Sequence, residues 1–338
     1  MNDSHSSPAA SFVVVRDALA QPAPPDRALD GAVLALGNFE GVHRGHRVVI
    51  DAALARARAL RRPAAAMTFE PHPRAFFNPN ARVFRLTDVA GKLRLLASTG
   101  LDGAIVMSFD AALAALTPDA FIAQVLVQRY AVAGVVAGYD FHFGKGRAGT
   151  PDFLQAEGRR LGFSVDIVPA YSDGAQRISS GAIREALTEG DIALATRLLG
   201  YPWFVSGDVV HGDRRGRELG FPTANIQLDP QCGLRHGVYA VRVGLGGRHY
   251  DGVANFGRRP MFDTGVVLLE VFLFDFSGDL YGKTLDVAFI AWIRPEAKFA
   301  SLDELVRQMH EDTRIARAAL AEAGDAFPPV VASALGPR

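Results

Sequence analysis

The first half of the chain carries short, continuously apolar runs centred near Val33, Ala66, Ile105, Val135 and Val165. Their spacing of about 30–40 residues fits repeated strand–helix units. Strands that are apolar throughout, rather than at alternate positions, predict a parallel sheet covered on both faces. The segments between them read as helices. Residues 46–60 are rich in alanine and arginine and place Val49, Ala53, Ala57 and Leu60 on one face. Thr117-Pro118-Asp119 starts another helix, with a capping hydroxyl and a proline at the first helical position. Residues 13–190 are therefore expected to form an α/β doubly wound domain.

After Gly200-Tyr201-Pro202 the pattern changes. Five strand-like runs follow closely, at 203–210, 238–243, 249–254, 266–274 and 285–292, separated by turn residues. That spacing predicts a compact antiparallel barrel or sandwich. Ser301-Leu302-Asp303-Glu304 has the form of a capping box, and Leu305, Met309 and Leu320 continue it as a closing helix. The expected boundaries are 13–190 for the first domain, 191–202 for a linker, 203–325 for the second domain and 326–338 for a tail frayed from about Gly324.

Length and composition agree with this division. A chain of 338 residues is long enough for two cores. With 49% hydrophobic residues and 36 basic against 36 acidic groups, it is not intrinsically disordered. The balanced charge disfavours a general affinity for nucleic acid or membrane surfaces, although local patches can hide in a neutral sum. Only Lys92, Lys145, Lys283 and Lys298 are lysines, so the basic residues are mostly arginine, a bias that reads as genomic composition. Cys232 stands alone, which excludes an intrachain disulfide and a thiolate zinc cluster. Residues 1–11 lack a signal-peptide core, and no apolar run approaches a membrane span. The expectation is a cytoplasmic protein with small-molecule partners, no nucleic-acid or membrane partner, and a monomeric or weakly homo-oligomeric state.

Two segments carry candidate phosphate chemistry. Gly37-Asn38-Phe39-Glu40-Gly41-Val42-His43-Arg44-Gly45-His46 follows an apolar strand and opens a helix. Helix N-termini present unpaired amides and a partial positive charge, so this turn suits a phosphate. Gly41 and Gly45 allow close backbone approach, and His43 and His46 can face one oxyanion. By itself, a pair of histidines at this spacing also fits a metal pair or two surface residues. The second segment is Arg177-Ile178-Ser179-Ser180-Gly181-Ala182-Ile183-Arg184, where hydroxyls, free amides and Arg184 converge at the start of a helix expected over 183–188. A capping serine alone would also explain it.

Together these motifs make the chain resemble the HxGH-type nucleotidyltransferases, and specifically the bacterial bifunctional riboflavin kinase/FAD synthetase family. Thr68-Phe69-Glu70-Pro71-His72-Pro73 and Gly138-Tyr139-Asp140-Phe141-His142-Phe143-Gly144-Lys145-Gly146-Arg147 stand in the expected order. The resemblance implies that the first domain adenylylates FMN with ATP. It assigns Gly37, Phe39, Gly41, His43 and His46 to ATP, with His43 and His46 catalytic. Ser179, Ser180 and Arg184 would hold the β- and γ-phosphates, and Asp140 and Phe141 would shape the flavin side. Three departures are visible: Glu40 where the family usually has aspartate, His142 where arginine is frequent, and Gly181-Ala182 in place of a bulkier pair.

The second half carries Gly216-Arg217-Glu218-Leu219-Gly220-Phe221-Pro222-Thr223-Ala224-Asn225. Phosphoryl transfer needs Mg²⁺ on hard oxygen ligands. Thr223 and Asn225 offer such oxygens on the same side of an extended segment, although a Pro-Thr-Ala-Asn string is also an ordinary turn signal. Glu270 is a lone acid within an apolar strand, costly to bury without a task and able to accept a proton from an attacking hydroxyl. The alternative is an acid facing solvent from an edge strand.

Gly237-Val238-Tyr239-Ala240, Gly252-Val253-Ala254-Asn255-Phe256-Gly257 and Asp279-Leu280-Tyr281-Gly282-Lys283 extend the resemblance to the riboflavin kinase module. That module implies a six-stranded barrel, Mg²⁺–ATP on Thr223 and Asn225, Glu270 as catalytic base for the ribityl hydroxyl, and Asn255 toward the flavin. Met261 and Phe272 depart from the family's threonine and histidine. The expected function is two consecutive reactions, riboflavin to FMN and FMN to FAD, each using ATP. Three alternatives stay open: a chain active in one half only, a non-catalytic flavin- or nucleotide-binding regulator, and an RNA-binding module.

Overall fold

In the computed structural model the described residues are 12–21, 26–78, 80, 83–174, 176–211, 221–258 and 267–331. The expected parallel sheet is present. Its strands are β1 (Val13–Asp17), β2 (Val33–Leu36), β3 (Ala64–Glu70), β4 (Gly103–Ser108), β5 (Gly134–Gly138) and β6 (Ser164–Val168). They pair in parallel in the order β1-β4-β3-β2-β5-β6. β2 through β5 are apolar and almost wholly buried, as strands covered on both faces must be. The edge strand β1 was not legible as an element.

The chain runs from β2 through β3 to β4 on one side, then returns to place β5 on the other side of β2. That reversal is a topological switch point. Ligands in such sheets bind beyond the carboxyl ends of the strands flanking it. The switch lies between β2 and β5, so the turns leaving those strands define the candidate site of this unit.

Helix α1 (Arg44–Leu60) follows β2 and buries Val49, Ile50, Ala53 and Ala57, close to the expected face. α2 (Pro73–Phe77) and α3 (Val89–Ala97) come between β3 and β4. α4 (Ala111–Ala115) and α5 (Pro118–Ala120) follow β4, and Thr117 caps α5 as expected. A π-helical segment, Phe121–Arg129, continues into β5. α6 (Pro151–Leu161) joins β5 to β6.

The second architecture is a closed antiparallel barrel, ordered β10-β13-β12-β11-β14-β9. After two short strands, β7 (Ser172–Asp173) and β8 (Gln176–Arg177), its members are β9 (Phe204–Val210), β10 (Ala224–Leu228), β11 (Gly237–Leu245), β12 (Arg248–Arg258), β13 (Val267–Leu273) and β14 (Thr284–Arg294). Five match the runs read from sequence. The sixth, β10, lay hidden behind a Pro-Thr turn signal. Trp203, Tyr239 and Phe289 fill the interior, with ring centroids 5.1 and 5.2 Å apart. The closing helix α9 (Leu302–Glu322) is capped by Ser301, whose hydroxyl accepts from the Glu304 amide at 3.2 Å.

By contacts, the described residues fall into two units: those within 1–81, 92–175 and 330–338, and those within 82–91 and 176–329. Two expectations change accordingly. The segment expected as a linker carries the helix α8 (Ile192–Leu199), capped by Asp191 and ended by Gly200 in the left-handed region. It and α7 (Ser180–Glu189) group with the barrel rather than with the parallel sheet. Backbone and indole bonds explain why: the Arg235 amide donates to Leu187 O at 3.0 Å, and Trp203 Nε1 donates to Leu86 O at 2.8 Å. The tail is not frayed at Gly324. Phe327 stacks on His249 at 3.9 Å, and the Arg242 guanidinium binds the Gly324 and Ala326 carbonyls.

Candidate active site

The turn leaving β2 is built from backbone that side chains rarely adopt. Phe39, Gly41 and Val42 all have positive φ, at 48°, 70° and 36°. Such conformations cost about 1–3 kcal/mol each outside glycine, so the surrounding structure must hold them. Gly41 is the residue that fits; Phe39 and Val42 are held by burial, at 1% and 0% exposure.

His43 then caps α1, its Nδ1 accepting from the His46 amide at 3.2 Å. That bond fixes the tautomer: Nδ1 is unprotonated, so the neutral ring carries its proton on Nε2, a donor for an anion. The His43 and His46 rings stack with centroids 3.5 Å apart, and Phe39 meets His46 edge-on at 5.3 Å. Burial pushes His43 down to about 4. Burial, then the charges of His43 and Lys92, hold His46 well below the usual histidine range. His46 Nδ1 is buried with no hydrogen-bond partner among the described residues. The structure therefore brings Gly37, Phe39, Gly41, His43 and His46 together at one turn, with two neutral, stacked imidazoles at a helix N-terminus.

The turn leaving β5 carries Asp140 and Phe141. Asp140 is exposed, and Phe141 stacks on Phe143 at 5.7 Å. Gly144, at φ 71°, abuts Pro118 so closely that a Cβ would sit 2.7 Å from its nitrogen. His142 is exposed and its Nδ1 lies 3.0 Å from the Asp140 carbonyl. The ends of β3 and β4 add an aromatic group that sequence reading missed. Phe76, Phe77 and Phe109 meet edge to face at 5.2–5.6 Å, and Phe77 is 67% exposed.

The expected serine segment starts α7, at Ser180 rather than Ile183. Ser179 caps it, accepting from the Ala182 amide at 3.2 Å. Arg184 is half-buried and its Nε donates to Phe84 O at 2.5 Å. These residues belong to the unit of the barrel, whereas the histidines belong to the other.

In the barrel, register places three polar residues in one row. Asn225 of β10 is directly opposite Glu270 of β13, which is directly opposite Asn255 of β12. Directly paired residues share a face, with Cα atoms about 5 Å apart. The row lies on the outer surface, because Val267, Leu269, Val271 and Leu273 alternate with it as buried interior residues. Although Glu270 stands within an apolar strand, period-two alternation puts half of its apolar neighbours inside the barrel, away from it. Glu270 shares its face with Leu268 and Phe272 and is half-buried. Asn225 is 6% exposed, and its Oδ1 is buried with no hydrogen-bond partner among the described residues. Thr223 is half-buried two residues earlier.

Phe272 now has an explanation. Its ring meets Phe221 edge-on at 5.1 Å, and Phe221 meets His310 of α9 at 5.1 Å. An aromatic clasp thus ties the segment entering β10 to the closing helix. Met261 and residues 216–220 lie outside the described residues.

Two family models match the chain: FAD synthetase over residues 26–182 and riboflavin kinase over residues 199–320. The bifunctional riboflavin kinase/FMN adenylyltransferase of Escherichia coli strain K12 is 44% identical over 289 residues, covering 85% of this chain and 92% of the relative. The Bacillus subtilis protein of the same description is 37% identical over 290 residues, covering 83% and 90%. The chain belongs to the bifunctional riboflavin kinase/FMN adenylyltransferase family. A solved chain described as a macrolide-efflux protein from Streptococcus pneumoniae is also similar, at 32% identity and a TM-score of 0.79, covering 90% of this chain and 99% of that one. Among the described residues of this family member, no helix is long and apolar enough to cross a membrane.

Both family activities are therefore those of this chain: it is a riboflavin kinase and an FMN adenylyltransferase, acting on riboflavin, FMN and ATP. Sequence reading did not single out Lys92, a buried residue that packs beside the turn carrying His43 and His46. Lys92 lies in α3, 1% exposed, with Nζ 2.6 Å from Glu70 Oε1. One of only four lysines in a chain dominated by arginine was the available signal.

Proposed function

We propose that riboflavin phosphorylation takes place on the outer face of the barrel, with Glu270 as general base, and adenylyl transfer at the turn that carries His43 and His46. The Asn225–Glu270–Asn255 row carries the first half of this reading. A half-buried carboxylate between two amide side chains can accept the proton of a ribityl hydroxyl as that oxygen attacks the γ-phosphate and the bond to the bridging oxygen breaks, releasing ADP. Asn255 orients the flavin's ribityl chain from the neighbouring strand.

Thr223 and Asn225 fit Mg²⁺. The orphaned, buried Oδ1 of Asn225 is a hard oxygen left without a protein donor, and the Thr223 hydroxyl stands beside it. When bound, the ion neutralises phosphate charge. The clasp of Phe221 between Phe272 and His310 fixes where these two oxygens sit.

Adenylyl transfer makes a different demand. The FMN phosphate is already anionic, so it attacks the ATP α-phosphate without a general base, and pyrophosphate leaves. The barrier lies in the charge that builds at phosphorus. His43 Nε2–H, His46 and the amides of α1 are fixed donors for that charge. Gly37, Phe39 and Gly41 cradle the nucleotide, and Asp140, Phe141 and the exposed Phe77 ring offer surface to the isoalloxazine. Within the unit of the barrel, the start of α7 at Ser179, Ser180 and Arg184 has by itself the hydroxyls and guanidinium that suit a phosphate.

Glu270→Gln keeps the side-chain shape and removes the base. It is expected to lower FMN formation by about 10²-fold or more while FAD formation from supplied FMN stays near wild type. Parallel loss of both activities would refute the assignment.

A further inference from the structure

Lys92 is buried, and its ammonium spends all three N–H donors on one place. Nζ donates to Asn38 O at 3.2 Å, to Thr68 Oγ1 at 3.1 Å and to Glu70 Oε1 at 2.6 Å. Thr68 Oγ1 donates in turn to the same Asn38 carbonyl at 3.1 Å. Asn38 immediately precedes Phe39, the first of the left-handed residues that steer the chain from β2 to His43. The strained turn is therefore held at its entrance by a lysine from α3 and a threonine from β3.

Burying an ion pair is an expensive way to fill space, because desolvation offsets much of the attraction. An apolar residue of similar size would pack as well. What an ammonium adds is direction, since it fixes the plane of the Asn38–Phe39 peptide. It also adds a positive charge which, after burial and together with His43, disfavours protonation of His46.

We propose that Lys92, with Thr68 and Glu70 as its partners, is a positioning residue for adenylyl transfer, holding the His43–His46 turn in its reactive geometry. The proposal rests on the placement of adenylyl transfer at that turn. It makes Lys92 no contact of either substrate; the residue acts through the Asn38 carbonyl and the backbone that follows.

The test uses the full-length enzyme with two variants. Lys92→Met keeps the aliphatic stem and removes the donors. Thr68→Val is isosteric and removes only the hydroxyl link. Steady-state kinetics of FAD formation from FMN and ATP is expected to show kcat lowered at least about 30-fold in Lys92→Met and about 3- to 10-fold in Thr68→Val. KM for ATP should change less than threefold in either, because the lost alignment matters chiefly in the transition state. Riboflavin phosphorylation should be unchanged, reporting on the barrel in the same sample. Wild-type kcat in a folded Lys92→Met enzyme overturns the proposal, even if its thermal stability falls; should that variant not fold, wild-type kcat in Thr68→Val does so. His46→Ala in the same assay separates the two readings. If it retains FAD formation, the placement of the reaction is wrong whatever Lys92 does.

Discussion

At the scale of single residues, burial keeps both histidines of the proposed adenylyl-transfer turn neutral. Holding His43 at about 4 instead of 6.5 keeps it neutral at physiological pH, as a donor with a fixed tautomer. The same shift links stability to pH. Between pH 6.5 and about 4 the unfolded chain binds a proton that folded His43 refuses. Stability is therefore full above that window and falls as pH drops through it, by at most about 3 kcal/mol for this residue. Urea-denaturation midpoints at pH 7.5 and 5 should show the loss, and His43→Asn should flatten it. Equal pH slopes in the two proteins would contradict this origin. His43, His46, Asn225 and Glu270 could be picked out in the sequence as candidates by their motifs, although each also had an ordinary structural reading there. Lys92 was not picked out, because its partners come from the turn after β2 and from β3, and nothing in the sequence near residue 92 shows them. Phe272 looked like an unexplained departure for the same reason: its partner Phe221 is distant in sequence.

At the scale of elements, helices with caps and strands with continuous apolar runs were readable, whereas β1, β10 and α8 were not. β10 is short and follows Pro222, so its turn chemistry outweighed its pattern; only closure of the barrel makes it a strand. α8 fills a segment read as a linker because two turns of helix between Asp191 and Gly200 leave little periodicity to detect. The clasp on Phe221 makes one prediction here. Phe272→Ala should loosen the segment entering β10 and raise KM for ATP in riboflavin phosphorylation several-fold, leaving FAD formation from FMN unchanged. Unaltered kinase kinetics would show that the clasp does not position Thr223 and Asn225. The tail makes another. Removal of the Phe327 ring, stacked on His249, should cost about 1–2 kcal/mol and lower the melting temperature by a few degrees. No change in melting would return the tail to the frayed state expected from sequence.

At the scale of the whole molecule, two architectures carry two chemistries on different physical terms. On the proposed reading, the barrel face offers a carboxylate base and hard oxygens, suited to moving a proton from a neutral hydroxyl. The parallel sheet offers neutral donors at a helix start, suited to an attacking group that is already ionised. Neither needs a basic surface, which agrees with the balance of 36 basic and 36 acidic residues. The division of labour was legible in the order of the motifs, but the grouping of residues 176–202 with the barrel was not, because it rests on contacts to residues 82–91 and to the barrel. The decisive measurement is product separation after incubating wild type, Glu270→Gln and His46→Ala with riboflavin, ATP and Mg²⁺, each repeated with FMN in place of riboflavin. Wild type should yield FMN and FAD. Glu270→Gln should yield FAD only when FMN is supplied, and His46→Ala should stop at FMN. A variant that loses both activities, or a His46→Ala enzyme that still makes FAD, would contradict two separate sites.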